Sequence, residues 1–266
     1  MKFLADITLG QFLPGDSFLH RLDPRTKFIA LLLLMSDVFL ISSFPGLLFL
    51  VGFFFLGLFL SRLSWSFVFR GIRPFIWLFL IAAGIHLFST PGPSLPFFPI
   101  SFINPTWTGA NKGALVAGQL FLTILFSSLM TLTTSPLQMV HGLEKIFYPL
   151  KKLRVPVEDL SMMMMLAIKF IPILQQEADR IIKAQSARGV DFESGGLRQR
   201  AKNMLPILTP LFNSVIKRAD DLAVALMARG YVSGKKRTHL HELEMKARDW
   251  GTLLVVASFS FLVIKI

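Results

Sequence analysis

Two arginines stand in identical tripeptides, Arg188 in the Ala-Arg-Gly at 187–189 and Arg229 in the Ala-Arg-Gly at 228–230. A guanidinium keeps its positive charge and presents a planar set of donors, so it can bind a carboxylate through two parallel hydrogen bonds. Arginine followed by glycine is also typical of a helix end, where the cation faces the negative end of the helix dipole. The tripeptides therefore indicate either capping alone or docking of two cationic helix tips on another protein.

The similarity of the two segments extends upstream of the tripeptides. With an offset of 41 residues, 178–190 aligns with 219–231, and the further identical pairs are Ala178 and Ala219, Asp179 and Asp220, and Ala184 and Ala225. Capping does not require these aspartates to be in register, so the repeat favours docking. Two similar tips suit a partner with two similar grooves, such as a dimer.

Other residues offer little chemistry of their own. The chain has no cysteine and five scattered histidines, and no serine stands in a recognisable nucleophile–base arrangement. His239 and His241 lie in a charged run, which indicates a solvated surface rather than a metal site. The "GKK" at 234–236 lacks the flanking residues of a phosphate-binding loop. We therefore expect no enzymatic activity and no cofactor in this chain.

The chain contains long apolar blocks, which are typical of membrane-spanning helices. The sequence is 53% hydrophobic and contains 27 phenylalanines. The blocks are 28–60, interrupted by a turn signal at 42–46, and 72–88, 114–132 and 251–266. Each half of the first block gives roughly 24 Å of helix, short for a hydrocarbon core of about 30 Å. We predict an all-α membrane protein with about five transmembrane helices and a cytoplasmic helical domain of about three long helices.

The distribution of Lys and Arg predicts the orientation. The N-terminal arm, the loop after residue 60 and the stretch 134–250 are rich in cations, whereas the turn at 42–46 has none. We expect the N-terminus and 134–250 in the cytoplasm and the C-terminus outside. The predicted domains are 1–133, 134–250 and 251–266. The net charge of +12 is explained by this topology without nucleic acid as a partner.

The sequence pattern of 134–250 predicts amphipathic helices. Ser135 and Gln138 form a predicted capping box around Pro136, which begins a first helix that runs towards Lys152. A second helix is expected over 158–187, and a third should end at Arg229. The third helix is expected to be broken by its two prolines, Pro206 and Pro210. Apolar stripes on the second and third helices suit packing on each other, on the membrane surface or on a partner.

Two further features have open interpretations. Four methionines follow one another at Met162, Met163, Met164 and Met165. They suit a helix core, a membrane-facing stretch or an adaptable contact surface, the last because methionine side chains repack easily. Asp37 lies inside the first apolar block, where an acid either has a function, such as an ion path, or is structural, near the outer interface or hydrogen-bonded within the helix bundle.

Three motifs together resemble a known family. They are "HRLDPRTK" at 20–27, "KFIP" at 169–172 and the paired Ala-Arg-Gly ends. On these residues the chain resembles the transmembrane T component of energy-coupling factor (ECF) transporters, the CbiQ/EcfT-like proteins of bacterial cell membranes. The resemblance implies that each Ala-Arg-Gly ends a coupling helix whose arginine binds one of two ABC-type ATPase subunits. Arg188 and Arg229 would be the docking residues, and the tips would be shaped by Ala187, Gly189, Ala228 and Gly230.

The resemblance also implies the other partners and the cargo. ATP would be bound by the ATPase subunits, and a membrane-embedded S component would bind a vitamin or metal ion for uptake. Met162–Met165 are the residues we expect to contact that S component. The alternatives are a self-sufficient membrane carrier or channel for a small solute, and a membrane-bound enzyme. The carrier would need polar residues at mid-membrane, and the apolar blocks offer mainly Asp37.

Overall fold

The computed structural model describes residues 12–93, 105–192, 196–232 and 243–265. Within these ranges the chain is helical and contains no β-strand. It divides into two compact units. The membrane unit comprises Gly10–Gly142 and Leu243–Ile266, and the two-helix unit comprises Leu143–Glu242. The domain boundaries inferred from composition stay a prediction.

The membrane unit is built from helices that are mostly apolar on all sides. They are α1 Pro24–Leu40, α2 Phe44–Ser61, α3 Trp65–Arg70, α4 Ile76–Ser89 and α5 Trp107–Thr133, with α9 Ala247–Ile264 returning from the end of the chain. A short 3-10 turn, Arg73–Phe75, joins α3 to α4. Three segments are long and apolar enough to cross a membrane among the described residues: Phe44–Ser61, Trp65–Ser89 and Trp107–Thr133. The described residues of this unit are therefore all α-helical or 3-10 helical, with three candidate membrane spans, as expected of an all-α membrane protein.

The turn between α1 and α2 is shorter than its sequence signal indicates. Ser43 is the N-cap of α2, and its hydroxyl accepts a hydrogen bond from the Gly46 N–H at 3.4 Å. Pro45 lies in the first turn of α2, where the missing N–H costs no helical hydrogen bond. The non-helical link is thus 41–43, and Pro45 and Gly46 belong to the helix.

Helix α5 lies at the centre of the membrane unit and packs against α1, α2, α3 and α4, while α9 packs on α1. The approach of α4 to α5 is close: a Cβ added at Gly113 would lie 2.7 Å from the Ala83 carbonyl oxygen. Larger side chains fill the space where α1, α2 and α5 meet. The most deeply buried of these include Val38, Leu50, Phe54, Leu58, Leu122 and Leu125.

Two long helices dominate the second unit. Helix α6, Pro136–Phe147, crosses the division between the units and continues as a 3-10 turn, Tyr148–Leu153. It is followed by α7, Val157–Ala187, and α8, Leu197–Ala228. The predicted capping box of α6 is confirmed, because the Ser135 and Gln138 side chains each accept a hydrogen bond from the other residue's backbone N–H.

The prediction that α8 breaks at its prolines is wrong. The helix runs without interruption through Pro206 and Pro210, as α7 does through Pro172. Each proline removes one backbone donor and crowds one carbonyl of the preceding turn. In a helix of 32 residues the hydrogen bonds on both sides remain, so the helix continues past these local losses.

Candidate functional site

The end of α7 is a left-handed glycine cap. Gly189 has φ +90°, a backbone conformation that glycine adopts without strain. Its N–H donates to the Ser186 carbonyl oxygen at 3.0 Å, and the Val190 N–H donates to the Gln185 carbonyl oxygen at 3.1 Å. These two bonds define a Schellman motif, which satisfies carbonyls that the helix leaves unpaired. The cap predicted for Gly189 is confirmed.

The end of α8 repeats this geometry. Gly230 has φ +74°, and its N–H donates to the Met227 carbonyl oxygen at 2.9 Å. The Tyr231 N–H donates to the Leu226 carbonyl oxygen at 3.0 Å. The second tripeptide therefore ends its helix with the same motif as the first, and the cap predicted for Gly230 is also confirmed.

Both tips present their arginine to the surroundings. The six residues of the two tripeptides are all exposed: Ala187, Arg188, Gly189, Ala228, Arg229 and Gly230. Within the described part of the chain, neither Arg188 nor Arg229 forms an ion pair. The small neighbours leave room for another surface to approach each guanidinium closely.

A charged pair marks the point where α7 and α8 meet. Arg218 Nη2 donates to Glu177 Oε2 at 3.3 Å, and the side chains of Arg218 and Glu177 are 40% and 16% exposed. These residues are separated by 41 positions, the same offset that relates the two tripeptides. Contact between equivalent positions of a repeat is what an approximate two-fold axis produces.

The two helices run antiparallel across this contact. Asn203 near the start of α8 binds the segment after α7, and Tyr231 after α8 binds Asp159 in the first turn of α7. Between the Glu177–Arg218 contact and its tip, each helix extends for about three turns, or about 16 Å. The two helices extend in opposite directions from this contact. The cationic tips lie at opposite ends of the pair, at equal distances from its crossing point.

Each tip is held by the other helix. The Asn203 side-chain amide donates to the Asp191 carbonyl oxygen at 2.5 Å, close to the first tip. The Tyr231 hydroxyl donates to Asp159 Oδ1 at 3.2 Å, close to the second tip. One tip is thus fixed through its backbone and the other through a side chain.

The methionine run lies near the start of α7. Met163 and Met164 are exposed by 64% and 47%, whereas Met162 and Met165 are half-buried. Met163 lines a groove between α7 and α8 together with apolar residues of both helices. Two of the four side chains therefore form outward surface, and the four methionines do not share a single face.

Polar bonds fix the start of α7. The Ser161 hydroxyl donates to Glu144 Oε2 at 2.7 Å, which joins α7 to α6. Lys151 Nζ donates to Glu158 Oε1 at 3.0 Å, and this hydrogen bond raises the pKa of the Lys151 ammonium. The start of α7 is thus attached to α6 and to the 3-10 turn after it.

The motif at 20–27 has a structural role in the membrane unit. Asp23 caps α1 by accepting from the Arg25 N–H at 2.9 Å, and its own N–H donates to Asp249 Oδ1 at 2.8 Å. Lys27 is buried, and its ammonium donates to the Thr133 carbonyl oxygen at 2.9 Å and to Thr134 Oγ1 at 3.2 Å. The motif therefore ties α1 to the end of α5 and to the start of α9.

Asp37 is hydrogen-bonded within the helix bundle, which was one of its two expected states. It is buried in α1, and the Ser260 hydroxyl of α9 donates to Asp37 Oδ2 at 2.6 Å. His239 and His241 lie outside the described residues. No group of His, Asp and Glu that could hold a metal ion occurs in the described ranges.

The pair that joins the two long helices, Glu177 and Arg218, was not predicted from the sequence. Glu177 and Arg218 carry opposite charges at equivalent positions of the repeat, and this complementarity is visible in the sequence once the offset is known. Asp159 and Tyr231 have no comparable signal, because they occupy unrelated positions of the repeat.

Comparisons with known proteins agree on one family. The model of the CbiQ family, described as cobalt transport protein, matches residues 15–240. A curated relative from Acidaminococcus fermentans is 47% identical over 253 residues, covering 95% of this chain and 94% of the relative. One from Clostridium kluyveri is 44% identical over 247 residues, covering 93% and 92%. One from Bacillus subtilis is 40% identical over 263 residues, covering 97% and 98%.

All three relatives are named energy-coupling factor transporter transmembrane protein EcfT. The residues matched by the family model, 15–240, include both Ala-Arg-Gly tips and the motif at 20–27. The chain therefore belongs to the CbiQ family, as the transmembrane T component of an energy-coupling factor transporter.

Proposed function

We propose that this chain is a non-catalytic coupling subunit. Two ABC-type ATPase subunits bind ATP and dock on the tips of α7 and α8, and a membrane-embedded S component binds the transported micronutrient. ATP-driven closing and opening of the ATPases moves the tips, and the long helices carry this motion to the S component. The chain itself binds no ATP or other cofactor, and the cargo is a vitamin or a metal ion.

The observation that carries this proposal is the two-fold arrangement of the tips. Arg188 and Arg229 end equivalent helices with the same cap, at equal distances from the Glu177–Arg218 contact. A dimer of ATPase subunits offers two equivalent grooves about its own two-fold axis. A partner of this symmetry engages both tips in the same way.

The chemistry of the tips supports docking over simple capping. A Schellman motif requires only the glycine, so it does not explain why an exposed arginine precedes it in both helices. The guanidinium can bind a groove carboxylate bidentately, and the small residues on either side allow close approach. Docking gives each residue of the tripeptide a role, with arginine binding the carboxylate and alanine and glycine allowing the close approach.

The proposed topology has five spans in a bacterial cell membrane. Helices α1 and α9, with 17 and 18 residues, are added to the three candidate segments, which have 18, 25 and 27 residues. The cation-rich N-terminal arm and 134–250 face the cytoplasm, and the C-terminus lies outside. This places the two tips on the side of the membrane where ATP is available.

The S component is proposed to contact the methionine run. Met163 and Met164 present soft, adaptable and exposed side chains, with Met163 at the edge of the groove between α7 and α8. Such a surface accommodates partners that differ in sequence. It therefore suits a subunit whose partner supplies the specificity for the cargo.

Copurification tests the docking of the ATPases. The chain is expressed with candidate ATPase subunits as Arg188→Glu/Arg229→Glu, which we expect to lose the ATPases. The matched control is Lys183→Glu/Lys217→Glu, because these exposed lysines lie on the same two helices and the charge change is equal. Retention of the ATPases by the tip variant, or equal loss from the control, would refute docking at the tips.

Crosslinking tests the S component contact. The chain has no cysteine, so single cysteines at Met163 and Met164 can be labelled without a background. We expect both to crosslink to the S component in the assembled complex, whereas a cysteine at the exposed Lys183 should not. Labelling that is identical with and without the S component would exclude this contact.

The alternative of a self-sufficient carrier makes a different prediction. It requires polar groups in the membrane that bind the solute, and the buried Asp37 is already bonded to Ser260. Transport by the purified chain alone in vesicles, without ATPases or S component, would support the carrier. We expect no transport from the isolated chain.

A further inference from the structure

Three arginines line one cavity at the end of the membrane unit. Arg21 lies in the arm before α1, Arg62 follows α2 and Arg248 lies in the first turn of α9. The cavity measures about 570 Å³, and its other lining residues are Asp16, Ser17, Phe18, Phe59 and Leu60. Three cations face one carboxylate, so the cavity carries an excess of positive charge.

The charge of these arginines is not neutralised by neighbours. In the described ranges, none of the three guanidinium groups lies within ion-pair distance of a carboxylate. All three residues are exposed. The arginine cavity is therefore suited to an anion from outside the chain.

An apolar groove continues from the arginine cavity. It measures about 470 Å³, lies between α1, α2, α5 and α9, and shares Phe18, Leu60 and Arg248 with the arginine cavity. Phe18 and Leu60 remain 43% and 39% exposed, so the groove is open on one side. Its volume is in the range of pockets that bind small molecules, about 300–1,000 Å³.

We propose that the arginine cavity and the apolar groove together bind one anionic phospholipid. The phosphate lies among Arg21, Arg62 and Arg248, and an acyl chain lies in the groove. The arginines stand at the ends of apolar helices, where the head groups of the bilayer are found. A free phosphate would leave the groove unused, and a zwitterionic lipid gains little from the excess charge. The continuity of the two cavities favours a molecule that has both parts.

The head-group half of the proposal is tested by lipid selectivity. The purified full-length chain is equilibrated with equal amounts of phosphatidylglycerol and phosphatidylcholine, and retained lipids are counted by native mass spectrometry. We expect phosphatidylglycerol to be preferred. Each arginine near a membrane surface contributes a factor of about five, or about 1 kcal/mol. Arg62→Gln/Arg248→Gln should therefore lower the preference at least about fivefold.

A matched pair of arginines controls for general electrostatic attraction. Arg70 and Arg73 are exposed residues of the same unit that do not line the arginine cavity. Arg70→Gln/Arg73→Gln removes the same charge and should leave the preference unchanged. Equal losses in the two double variants, or no preference in the unchanged chain, would overturn the proposal. Helix content and melting temperature, measured alongside, identify a variant that has not folded.

The acyl-chain half is tested by filling the groove. Gly57 lines the groove, and a Cβ at this position would lie 3.5 Å from Leu129 Cδ2, an ordinary contact. Gly57→Leu should lower retention of both lipids. Gly52→Leu, in the same helix with open space around it, should not. Unchanged retention in Gly57→Leu would exclude the groove as the acyl-chain site.

Discussion

The tips of α7 and α8 are alike in backbone and different in how they are held. Both end with a left-handed glycine and the same two hydrogen bonds. The first is bound through the Asp191 carbonyl by Asn203, whereas the second is bound through the Tyr231 hydroxyl to Asp159. The tripeptide sets the shape of each tip, and the contacts with the other helix set its position.

This difference has a consequence for a two-subunit partner. Equivalent tips favour equivalent docking, but the anchors differ in length and in chemistry. The first anchor joins a side-chain amide to a backbone carbonyl, and the second joins a tyrosine hydroxyl to a carboxylate. We therefore expect the two docking sites to have the same geometry and unequal strength.

The largest effect should come from the arginines. Arg188→Ala and Arg229→Ala each remove a guanidinium that the proposed docking would desolvate, a loss that typically costs about 2–5 kcal/mol. We expect the affinity for the ATPases, measured with the chain in nanodiscs, to fall strongly in both variants and by different amounts. Lysine at either position should restore only part of the affinity, because it lacks the bidentate fork. Unchanged affinity in both alanine variants would contradict the proposal that the two tips bind the ATPases through their arginines.

The glycines should give the next effect. Alanine at Gly189 or Gly230 must adopt a positive φ, which costs about 1–2 kcal/mol. Either substitution should therefore distort its tip and weaken ATPase binding while the rest of the helix remains intact by circular dichroism. Gly196→Ala is the control, because Gly196 has φ −70° and open space around it. An equal loss from Gly196→Ala would show that glycine content, not tip shape, matters.

The anchors should give smaller and tip-specific effects. Tyr231→Phe removes one hydrogen bond at the second tip, and Asn203→Ala removes one at the first, each worth about 0.5–1.5 kcal/mol. Backbone hydrogen exchange should become faster at 229–231 in Tyr231→Phe and at 188–191 in Asn203→Ala. If both variants loosen the same tip, the anchors are not independent.

The smallest effect is expected at the crossing point. The Glu177–Arg218 pair is partly exposed to solvent, so its loss should cost about 1 kcal/mol or less. Glu177→Arg should loosen the packing of α7 on α8, and the exchanged pair Glu177→Arg/Arg218→Glu should restore it. The midpoint of thermal unfolding measures both. Because Glu177 Oε2 also lies 3.9 Å from Arg180 Nη1, both variants are made in an Arg180→Gln chain. Failure of the exchange to restore stability there would show that the pair acts through packing and not through charge.

The parts of this molecule that depend on neighbouring residues could be predicted from the sequence. The glycine caps and the Ser135–Gln138 capping box follow from local hydrogen bonds, and the apolar blocks give the membrane helices. The break expected at Pro206 and Pro210 was wrong, because two missing donors do not end a long helix. Local patterns therefore identify the tips but overstate the effect of proline.

The contacts between distant segments could not be predicted. Lys27 binds the end of α5 and Asp37 binds Ser260 of α9, with more than a hundred residues between the partners. Nothing in a single sequence pairs such positions, because their proximity is decided by helix packing. The two-fold contact of Glu177 with Arg218 is the exception, since its repeat offset makes it recognisable afterwards.

The central claim is that the two tips carry the motion of the ATPases, and a distance between the tips tests it most directly. Ser186 and Met227 are exposed, equivalent positions of the repeat, and spin labels on cysteines there report their separation in a chain without other cysteines. In the complete complex, active in transport, we predict that ATP binding shifts this distance by at least about 2 Å. A distance that stays constant through the ATP cycle while transport proceeds would contradict the account.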